Sequence, residues 1–200
     1  AGPVCWLVGL VCVDQIARVS KHDGLLAWTL LYTSVLDVEK APEVDVADPG
    51  GLVHSRALQN KDRTLRLTLN GAESHRTFAG RFATDSSGSP VQHIAFATED
   101  IFATAKALQD NGFASLPIPE SYYSEIASRF ALDPQFLTAL QAANILYDED
   151  GLGGAFFQLY SRPYGDGFFF EIVERKGGYD GYGGPNATYR TAALKRLSLK

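Results

Sequence analysis

The feature that most constrains the fold is a short motif that occurs twice in the chain. The segment VDQIARVSK begins at Val13, the segment VQHIAFATED begins at Val91, and both follow a V-x-x-I-A pattern. Gln15 and His93 occupy the third position of the two copies. Each copy is typical of a strand that leads into a helix. The sequence therefore predicts an internal duplication, with Gln15 and His93 at corresponding positions.

The first copy of the motif lies in the first strand of the repeated unit. This strand is predicted over Trp6–Val19, and a helix follows over Gly24–Leu36. Three further strands are predicted over Gly51–Gln59, over Thr64–Asn70 and near Phe78. The second of these alternates strictly between polar and apolar residues, which predicts one buried face and one face in water or in a cavity.

The second copy is followed by a similar order of elements. Asp100 is predicted to cap a helix over Ile101–Gln109, and strands are predicted over Gly154–Ser161 and Gly167–Glu174. Two additional helices are predicted between that helix and the first of these strands, in the segments SYYSEIASRF and PQFLTALQAAN. Asp133 caps the second of them. The unit therefore recurs with an insertion.

This order predicts an α+β fold of two β-α-β-β-β modules, residues 1–85 and residues 86–200. Two such modules commonly place their sheets side by side as a half-open barrel, in which corresponding residues face the same cavity. The second module carries the helical insertion at about residues 119–145. The turn DEDG from Asp148 is predicted to return the chain to the sheet.

Composition and charge exclude two classes of partner. The net charge is −5 and no run of basic residues is present, so nucleic acid is not a predicted partner. The apolar run VCWLVGLVCV is too short to span a bilayer and lacks the flanks of a signal peptide, so membrane association is not predicted. Cys5 and Cys12 lie in that run, and two buried thiols there would suit a reducing cytoplasm.

Two residues are candidate metal ligands on chemical grounds. His93 is a histidine on a predicted strand, and imidazole is a common metal ligand, although most strand histidines are structural. Glu171 stands in FFFEIVERKGG, and a carboxylate on an interior strand is unfavourable unless it is paired or bound to a cation. The alternative to a metal ion is a salt bridge from Glu171 to Arg18, Arg66 or Lys176.

Several segments together carry a family resemblance. The segments VQHIAFATEDI, PIPESYY, ANILYDEDG with FFQLYSRP, and FFFEIVERKGGYDGYGGPN resemble the C-terminal catalytic half of 4-hydroxyphenylpyruvate dioxygenase, in the same order. That family has the vicinal-oxygen-chelate fold. GGYDGYGGPN and DPGGLVHSRAL are more similar to the dioxygenase-like portion of bimodular bacterial 3-dehydroshikimate dehydratases. The resemblance therefore implies a dehydratase domain upstream in the same chain.

The resemblance also implies a metal site. The family holds iron(II) with two histidines and one glutamate, which leave three positions for a 2-oxo acid and dioxygen. His93 and Glu171 match two of these ligands, and Gln15 stands where the other histidine is expected. Because an amide oxygen is a harder and weaker donor than imidazole, Gln15 is expected to favour magnesium, manganese or calcium over iron. His54, on a predicted strand, is the alternative ligand.

Further residues match the family's substrate site. Gln158 in FFQLYS matches a glutamine near the substrate, and Asn70 matches a polar residue of the cavity. Tyr182 and Asn186 lie in a segment that matches the motif F-G-x-G-N, where an aromatic ring packs against the substrate. Ala187 stands where the family has a phenylalanine, and this difference weakens the expectation of a hydroxyphenyl substrate.

The same segment is implied to lead into a C-terminal helix that closes the cavity. The glycine-rich run Gly177–Gly184 does not lie between a strand and a helix in the manner of a phosphate-binding loop. It is therefore predicted to be a flexible connection to the closing helix.

Three functions follow as hypotheses. The first is a metal-dependent, dioxygenase-like oxidoreductase that acts on a small-molecule 2-oxo acid. The second is a domain whose oxygenase activity has lapsed and which has a structural or regulatory role beside the dehydratase. The third is a small-molecule binder of the antibiotic-resistance type. The sequence leaves self-association into a homo-oligomer open.

Overall fold

The computed structural model describes residues 8–86 and 88–199, which contain nine strands and six helices. The chain divides into two compact units. The first unit is Val13–Ala95 with Pro163–Phe170, and the second is mainly Phe96–Arg162 and Glu171–Lys200, with the start of the chain up to Cys12. This division does not test the module boundary between residues 85 and 86, which stays a prediction.

The first unit is built on strands in the order β2-β4-β5-β1-β6, with β3 paired to β4. Strands β1 and β5 are parallel, whereas β4 is antiparallel to β2, β3 and β5. The strand bounds are β1 Leu10–Lys21, β2 Glu39–Lys40, β3 Val44–Asp48, β4 Gly51–Gln59, β5 Arg66–Ala72 and β6 Val91–Thr98. The strand predictions over Gly51–Gln59 and from Val91 are confirmed at both ends, whereas β2 and β3 were missed.

Two helices complete the first unit, α1 (His22–Val35) and α2 (Phe78–Asp85). The prediction of a strand near Phe78 is wrong. Thr77 caps the helix, because its side chain accepts a hydrogen bond from the Gly80 backbone N–H at 2.9 Å. Phe82 and Ala83, at helical spacing, are buried in one aliphatic cluster of the unit.

The second unit contains the strand order β6-β9-β8-β7. Strand β8 is antiparallel to both β7 and β9. The bounds are β7 Leu146–Glu149, β8 Ala155–Tyr160 and β9 Phe169–Lys176 for the strands, and α3 Ile101–Asp110, α4 Glu120–Phe130, α5 Pro134–Ala142 and α6 Gly184–Ser198 for the helices. Strands β1, β6 and β9 continue from one unit into the other along the chain.

The predicted helix caps in the second unit are confirmed. The Asp100 carboxylate accepts a hydrogen bond from the Ala103 N–H at 3.0 Å at the start of α3. The Asp133 carboxylate accepts from the Gln135 and Phe136 N–H groups, and Pro134 follows at the first helical position. These side chains bond N–H groups that lack a partner within the helix, so the caps fix where each helix begins.

Three sequence predictions require correction. Asp148 and Glu149 belong to β7 rather than to a turn, and the turn is held instead by Asp150, whose carboxylate accepts from the Leu152 and Gly154 N–H groups. Thr68 of β5 is buried, which excludes a second strand face that lies in water; the alternative of a face in a cavity stays a prediction. Cys12 is exposed, while Cys5 lies outside the described residues.

The two units have different cores. The first contains aliphatic clusters, one of which consists of Leu25, Val38, Leu58, Leu67 and Leu69. The second contains an aromatic cluster in which the ring of Tyr147 lies edge-on to Phe136 and Phe157, at centroid distances of 5.5 and 5.0 Å. In the described part of the chain, none of the helices has both the length and the hydropathy needed to cross a bilayer.

Candidate functional site

Glu171 is the carboxylate among the predicted site residues, and it is deeply buried. It lies on β9 directly opposite Tyr160 of β8, and its exposed fraction is 1%. Because side chains alternate along a strand, Phe170 and Ile172 point to the other face of the sheet. The local sequence therefore places one acidic side chain on a face that it shares with Tyr160.

Gln158 connects these two residues. Its side-chain amide donates hydrogen bonds from Nε2 to Glu171 Oε1 at 2.8 Å and to the Tyr160 hydroxyl at 2.7 Å. Gln158 and Tyr160 are two residues apart on β8, so they share one face of the strand. Gln158 is also 1% exposed, and the two hydrogen bonds satisfy its amide group away from water.

Helix α6 contributes Asn186 to this group of hydrogen-bonded side chains. The Asn186 amide donates from Nδ2 to Gln158 Oε1 at 2.8 Å, and Asn186 Oδ1 lies 3.0 Å from the Tyr122 hydroxyl. The Tyr122 hydroxyl in turn accepts a hydrogen bond from the Tyr147 backbone N–H at 2.7 Å. We call Glu171, Gln158, Tyr160, Asn186 and Tyr122 the Glu171 network.

Burial controls the protonation of the hydroxyl groups in the Glu171 network. Burial raises the pKa of Tyr160 well above its usual range, and the negative charge of Glu171 raises it further. The positive charge of Arg190 acts in the opposite direction on the Tyr160 pKa. Burial likewise raises the pKa of Tyr122. Both phenols therefore stay protonated at neutral pH and act as hydrogen-bonding groups rather than as bases.

The glycine-rich run before α6 has a structural role that the sequence prediction missed. Gly183 has φ +62°, a conformation that side chains disfavour. A Cβ atom at this position would lie 2.3 Å from Gln158 Oε1. Gly177 also has a positive φ, and a Cβ there would lie 2.1 Å from the Gly153 carbonyl oxygen. The run is therefore fitted closely to its neighbours rather than being a simple flexible connection.

Three of the predicted residues lie in the first unit. Gln15 is buried on β1, and His93 is half-buried on the neighbouring strand β6. The His93 ring is stacked on the Phe169 ring at a centroid distance of 4.5 Å. Asn70 is half-buried on β5, where it pairs with Val19 and with Ser55. That Gln15 and His93 share a metal ion with Glu171 stays a prediction.

The cations considered as salt-bridge partners of Glu171 have contacts of their own. Arg18 donates to the Ser89 carbonyl and to the Tyr32 hydroxyl, and its guanidinium lies 3.9 Å from the Trp28 ring centroid. Arg66 Nη1 lies 3.5 Å from Asp14 Oδ1. Lys176 Nζ lies 2.9 Å from Glu174 Oε1, on the same strand. Each of the three cations therefore has an identified structural role.

His54, the alternative ligand, lies in an ion-pair cluster of the first unit. Its Nδ1 lies 2.7 Å from Asp45 Oδ1 and its Nε2 lies 2.9 Å from Glu73 Oε1. A histidine that hydrogen bonds to two carboxylates must donate from both nitrogens, which requires the protonated ring. The hydrogen bond to Glu73 is the largest cause that raises the pKa of His54.

The same cluster has the geometry of a small cation site. Ligand atoms of Glu43, Asp45 and His54 lie within 4.8 Å of one another. Glu43 also forms a salt bridge with Arg56, and a metal ion would have to displace the proton of His54. We call Glu43, Asp45, His54 and Glu73 the His54 cluster; the use of His54 as an alternative metal ligand stays a prediction.

The remaining predicted residue, Tyr182, is half-buried in the second unit. The Arg175 guanidinium lies 5.8 Å from its ring centroid and donates to the carbonyl of Gly181 at 2.6 Å. Two residues near the site were missed from the sequence, although spacing could have indicated them. Tyr160 follows Gln158 by two positions on a strand, and Arg190 follows Asn186 by four positions on a helix.

Residues 24–152 match the Glyoxalase/Bleomycin resistance protein/Dioxygenase superfamily. The chain belongs to this superfamily. The α+β fold class predicted from the repeated element order and the vicinal-oxygen-chelate fold implied by the family resemblance are therefore confirmed.

Individual members of the superfamily are also similar to this chain. A 3-dehydroshikimate dehydratase from Pseudomonas aeruginosa is 42% identical over 187 residues, which are 94% of this chain and 30% of that protein. A 4-hydroxyphenylpyruvate dioxygenase from the same organism is 28% identical over 180 residues, which are 90% of this chain and 50% of that protein. A solved xylose isomerase-like TIM barrel/4-hydroxyphenylpyruvate dioxygenase fusion protein matches with a TM-score of 0.78 and 39% identity.

The resemblance drawn from the sequence motifs is thereby confirmed. The match to the fusion protein covers 94% of this chain and 30% of that chain. The chain thus spans 30% and 50% of the length of these two curated relatives. It corresponds to a dioxygenase-like region of the superfamily, and in the solved fusion protein that region is joined to a TIM barrel.

Proposed function

We propose that this chain is a metal-dependent, dioxygenase-like domain that binds a 2-oxo acid. The observation that carries the proposal is the burial of Glu171 in a group of neutral hydrogen-bonding side chains. A buried carboxylate is unfavourable unless it is paired or bound to a cation, so its burial among neutral groups supports a cation site. Membership of the superfamily supports the same assignment.

The donor set fits a divalent metal ion. His93 would supply an imidazole nitrogen, Glu171 a carboxylate oxygen and Gln15 an amide oxygen. This set has more oxygen than a two-histidine site, so it favours manganese or magnesium relative to iron. A divalent metal bound there would hold the two oxygens of a 2-oxo acid, and iron would add redox chemistry.

The residues around Glu171 would orient both the carboxylate and the substrate. Asn186 donates to Gln158 Oε1, and this bond fixes which end of the Gln158 amide faces Glu171. Gln158 then donates to Glu171 Oε1 and so holds the carboxylate in a fixed orientation. Tyr160, protonated because its pKa is raised, hydrogen bonds to Glu171 and would help to orient the carboxylate.

Metal binding to the purified chain tests the proposal directly. Equilibrium dialysis against Mn²⁺ should show one bound ion, and Glu171→Gln should weaken that binding by about 100-fold or more, because the charged ligand is lost. Glu174→Gln is the matched control, since Glu174 is buried on the same strand but accepts a hydrogen bond from the Ile101 N–H at the start of α3. Equal Mn²⁺ affinity in the two variants would refute the proposal.

Gln15 favours a second candidate function. An amide in place of an imidazole suits a domain in which oxygenase activity has lapsed and a structural or regulatory role beside a dehydratase remains. Gln15→His separates the candidates. A gain in Fe²⁺ affinity, together with oxygen uptake on 4-hydroxyphenylpyruvate, would indicate an otherwise competent site. Metal binding without oxygen uptake in both forms would favour the lapsed domain.

The dehydratase partner is part of the proposal. The 3-dehydroshikimate dehydratase relative is more than three times as long as the matched region, since the match covers 30% of it. We expect a longer protein that contains this chain to carry a dehydratase domain before it. Dehydroshikimate turnover by that longer protein, measured with and without this domain, tests whether the domain affects the dehydratase.

A further inference from the structure

Helix α1 is apolar on both of its faces. From Gly24 to Leu36 the sequence contains no charged residue. One face packs on the sheet, where Leu25 is buried in an aliphatic cluster with residues of β4 and β5. The opposite face carries large apolar side chains that are 48% to 67% exposed, namely Leu26, Leu30, Leu31 and Val35. A helix that is apolar all round is typical of one that is covered on both sides, so this face is suited to bind a partner.

The exposed face has the same order of side-chain sizes in both directions along the helix. We call its six exposed residues the α1 face: Leu26, Ala27, Leu30, Leu31, Ser34 and Val35. In either direction the order is large, small, large, large, small, large, with its midpoint between Leu30 and Leu31. A two-fold contact requires such a surface, because the same residues meet themselves in reverse order.

Ser34 is the polar member of the α1 face, and its hydroxyl already has an acceptor. It donates to the Leu30 carbonyl oxygen within the helix, at 2.6 Å. Covering the α1 face would therefore leave the Ser34 hydroxyl with a hydrogen bond, which removes the main cost of burying it.

The charges at the two ends of α1 indicate the direction of the contact. Lys21 is exposed directly before the helix, whereas Asp37 and Glu39 are exposed just after it. The last turn of α1 contains no basic residue, so no cation within the helix balances the partial negative charge of its final carbonyl groups. Antiparallel packing of two α1 helices brings Lys21 of each copy to the negative end of the other copy.

We propose that the α1 face joins two copies of this chain, whose α1 helices pack antiparallel around a two-fold axis between Leu30 and Leu31. Ala27 of one copy then lies opposite Ser34 of the other, and these small side chains allow the helices to approach closely. A partner of different sequence would not require a symmetric face, so the pattern favours a second copy. The inference is independent of the proposed function, since α1 contains none of the predicted metal ligands.

Sedimentation equilibrium of the purified chain tests the proposal. We expect the wild type to dimerise with a dissociation constant of about 10 µM or lower. Leu30→Lys should raise this constant by about 100-fold or more, because it buries two like charges near the axis. Leu31→Lys should do the same, since Leu31 also lies beside the axis. Leu152→Lys is the matched control: Leu152 is 91% exposed in the second unit, and this variant should dimerise like the wild type.

A charge exchange tests the antiparallel direction. Lys21→Glu should raise the dissociation constant about threefold, because it places a negative charge beside the negative end of the other helix. Adding Asp37→Lys to this variant should restore the wild-type constant. Thermal unfolding at a concentration at which every variant is monomeric should give equal melting temperatures for the wild type, Leu30→Lys and Leu31→Lys, because lysine is a good helix former at an exposed position.

Three results would overturn the proposal. A wild type that is monomeric at about 100 µM, tenfold above the expected constant, would leave the α1 face to a different partner, such as an upstream domain. A dimer that persists in both leucine variants would mean that the chain associates through another surface. An unchanged dissociation constant in Lys21→Glu would exclude the antiparallel arrangement.

Discussion

Each unit contains a cluster of polar side chains, and the two clusters differ in burial and in the charge of their members. In the first unit, His54 lies between Asp45 and Glu73 near the surface, and its side chain is 14% exposed. Its charge is balanced within the cluster. In the second unit, the buried Glu171 carboxylate hydrogen bonds to the neutral Gln158 amide and Tyr160 hydroxyl. The two clusters therefore differ in burial and in the charge of the groups that hydrogen bond to their acids.

The largest expected effect breaks the Glu171 network at Gly183. Gly183→Ala should lower the free energy of unfolding by about 3 kcal/mol, because it adds backbone strain at a positive φ and a clash with Gln158. Urea denaturation measures this loss. The altered position of Gln158 should also weaken Mn²⁺ binding.

Gly178→Ala is the control for backbone strain alone. Gly178 has φ +78°, but a Cβ atom there would have nothing within 4 Å. We expect this variant to lose only about 1 kcal/mol. Equal losses in the two variants would mean that the close approach to Gln158 contributes nothing to stability.

A smaller effect is expected from one hydroxyl group. Tyr122→Phe should lower the free energy of unfolding by about 2 kcal/mol, because the Tyr147 N–H and Asn186 Oδ1 would lose a buried partner. Tyr123 is the adjacent control. Its hydroxyl is buried and has no hydrogen-bond partner among the described residues. Tyr123→Phe should be neutral or slightly stabilising, and thermal unfolding of the two variants would sharpen or contradict this contrast.

The smallest expected effect concerns pH and the His54 cluster. The folded pKa of His54 is raised above its ordinary value of 6.5. The protonated ring therefore stabilises the fold fully below that value, and the contribution is lost as the pH rises through the folded pKa. We expect His54→Gln to lower the melting temperature by about 2 °C near pH 6 and by less near pH 9.

Several other titratable or charged side chains lie around His54. Glu43, Asp45 and Glu73 are the carboxylates, and the His22 ring lies 4.5 Å from the His54 ring. Arg56 contacts the cluster through Glu43. A difference in melting temperature that stays constant with pH would show that the His54 ring contributes by packing rather than by charge.

Local signals allowed much of the fold to be predicted. The strand from Val91 and the caps Asp100 and Asp133 were right because turn residues and capping residues act over a few positions. The segment at Phe78 was misassigned because its helical spacing is short and its cap, Thr77, was overlooked. The repeated element order was enough to predict the fold class.

The site could be predicted only in part. Gln158, Glu171 and Asn186 were singled out from motifs as site residues, a role that stays a prediction. Their hydrogen bonds could not be predicted, since Asn186 and Gln158 are 28 positions apart. The role of Gly183 depends on the approach of α6 to β8, which no local pattern encodes. Arg190 was missed because a cation on a C-terminal helix is usually solvated.

Strand β9 has one more consequence. It carries two buried acids three positions apart, so they point to opposite faces: Glu171 toward Gln158, and Glu174 toward the start of α3. A shift of the register by one residue would place both acids against apolar side chains and Ile172 beside Gln158. The two buried acids thus specify a single register for the pairing of β8 with β9, and a folding intermediate with a shifted register would be less stable.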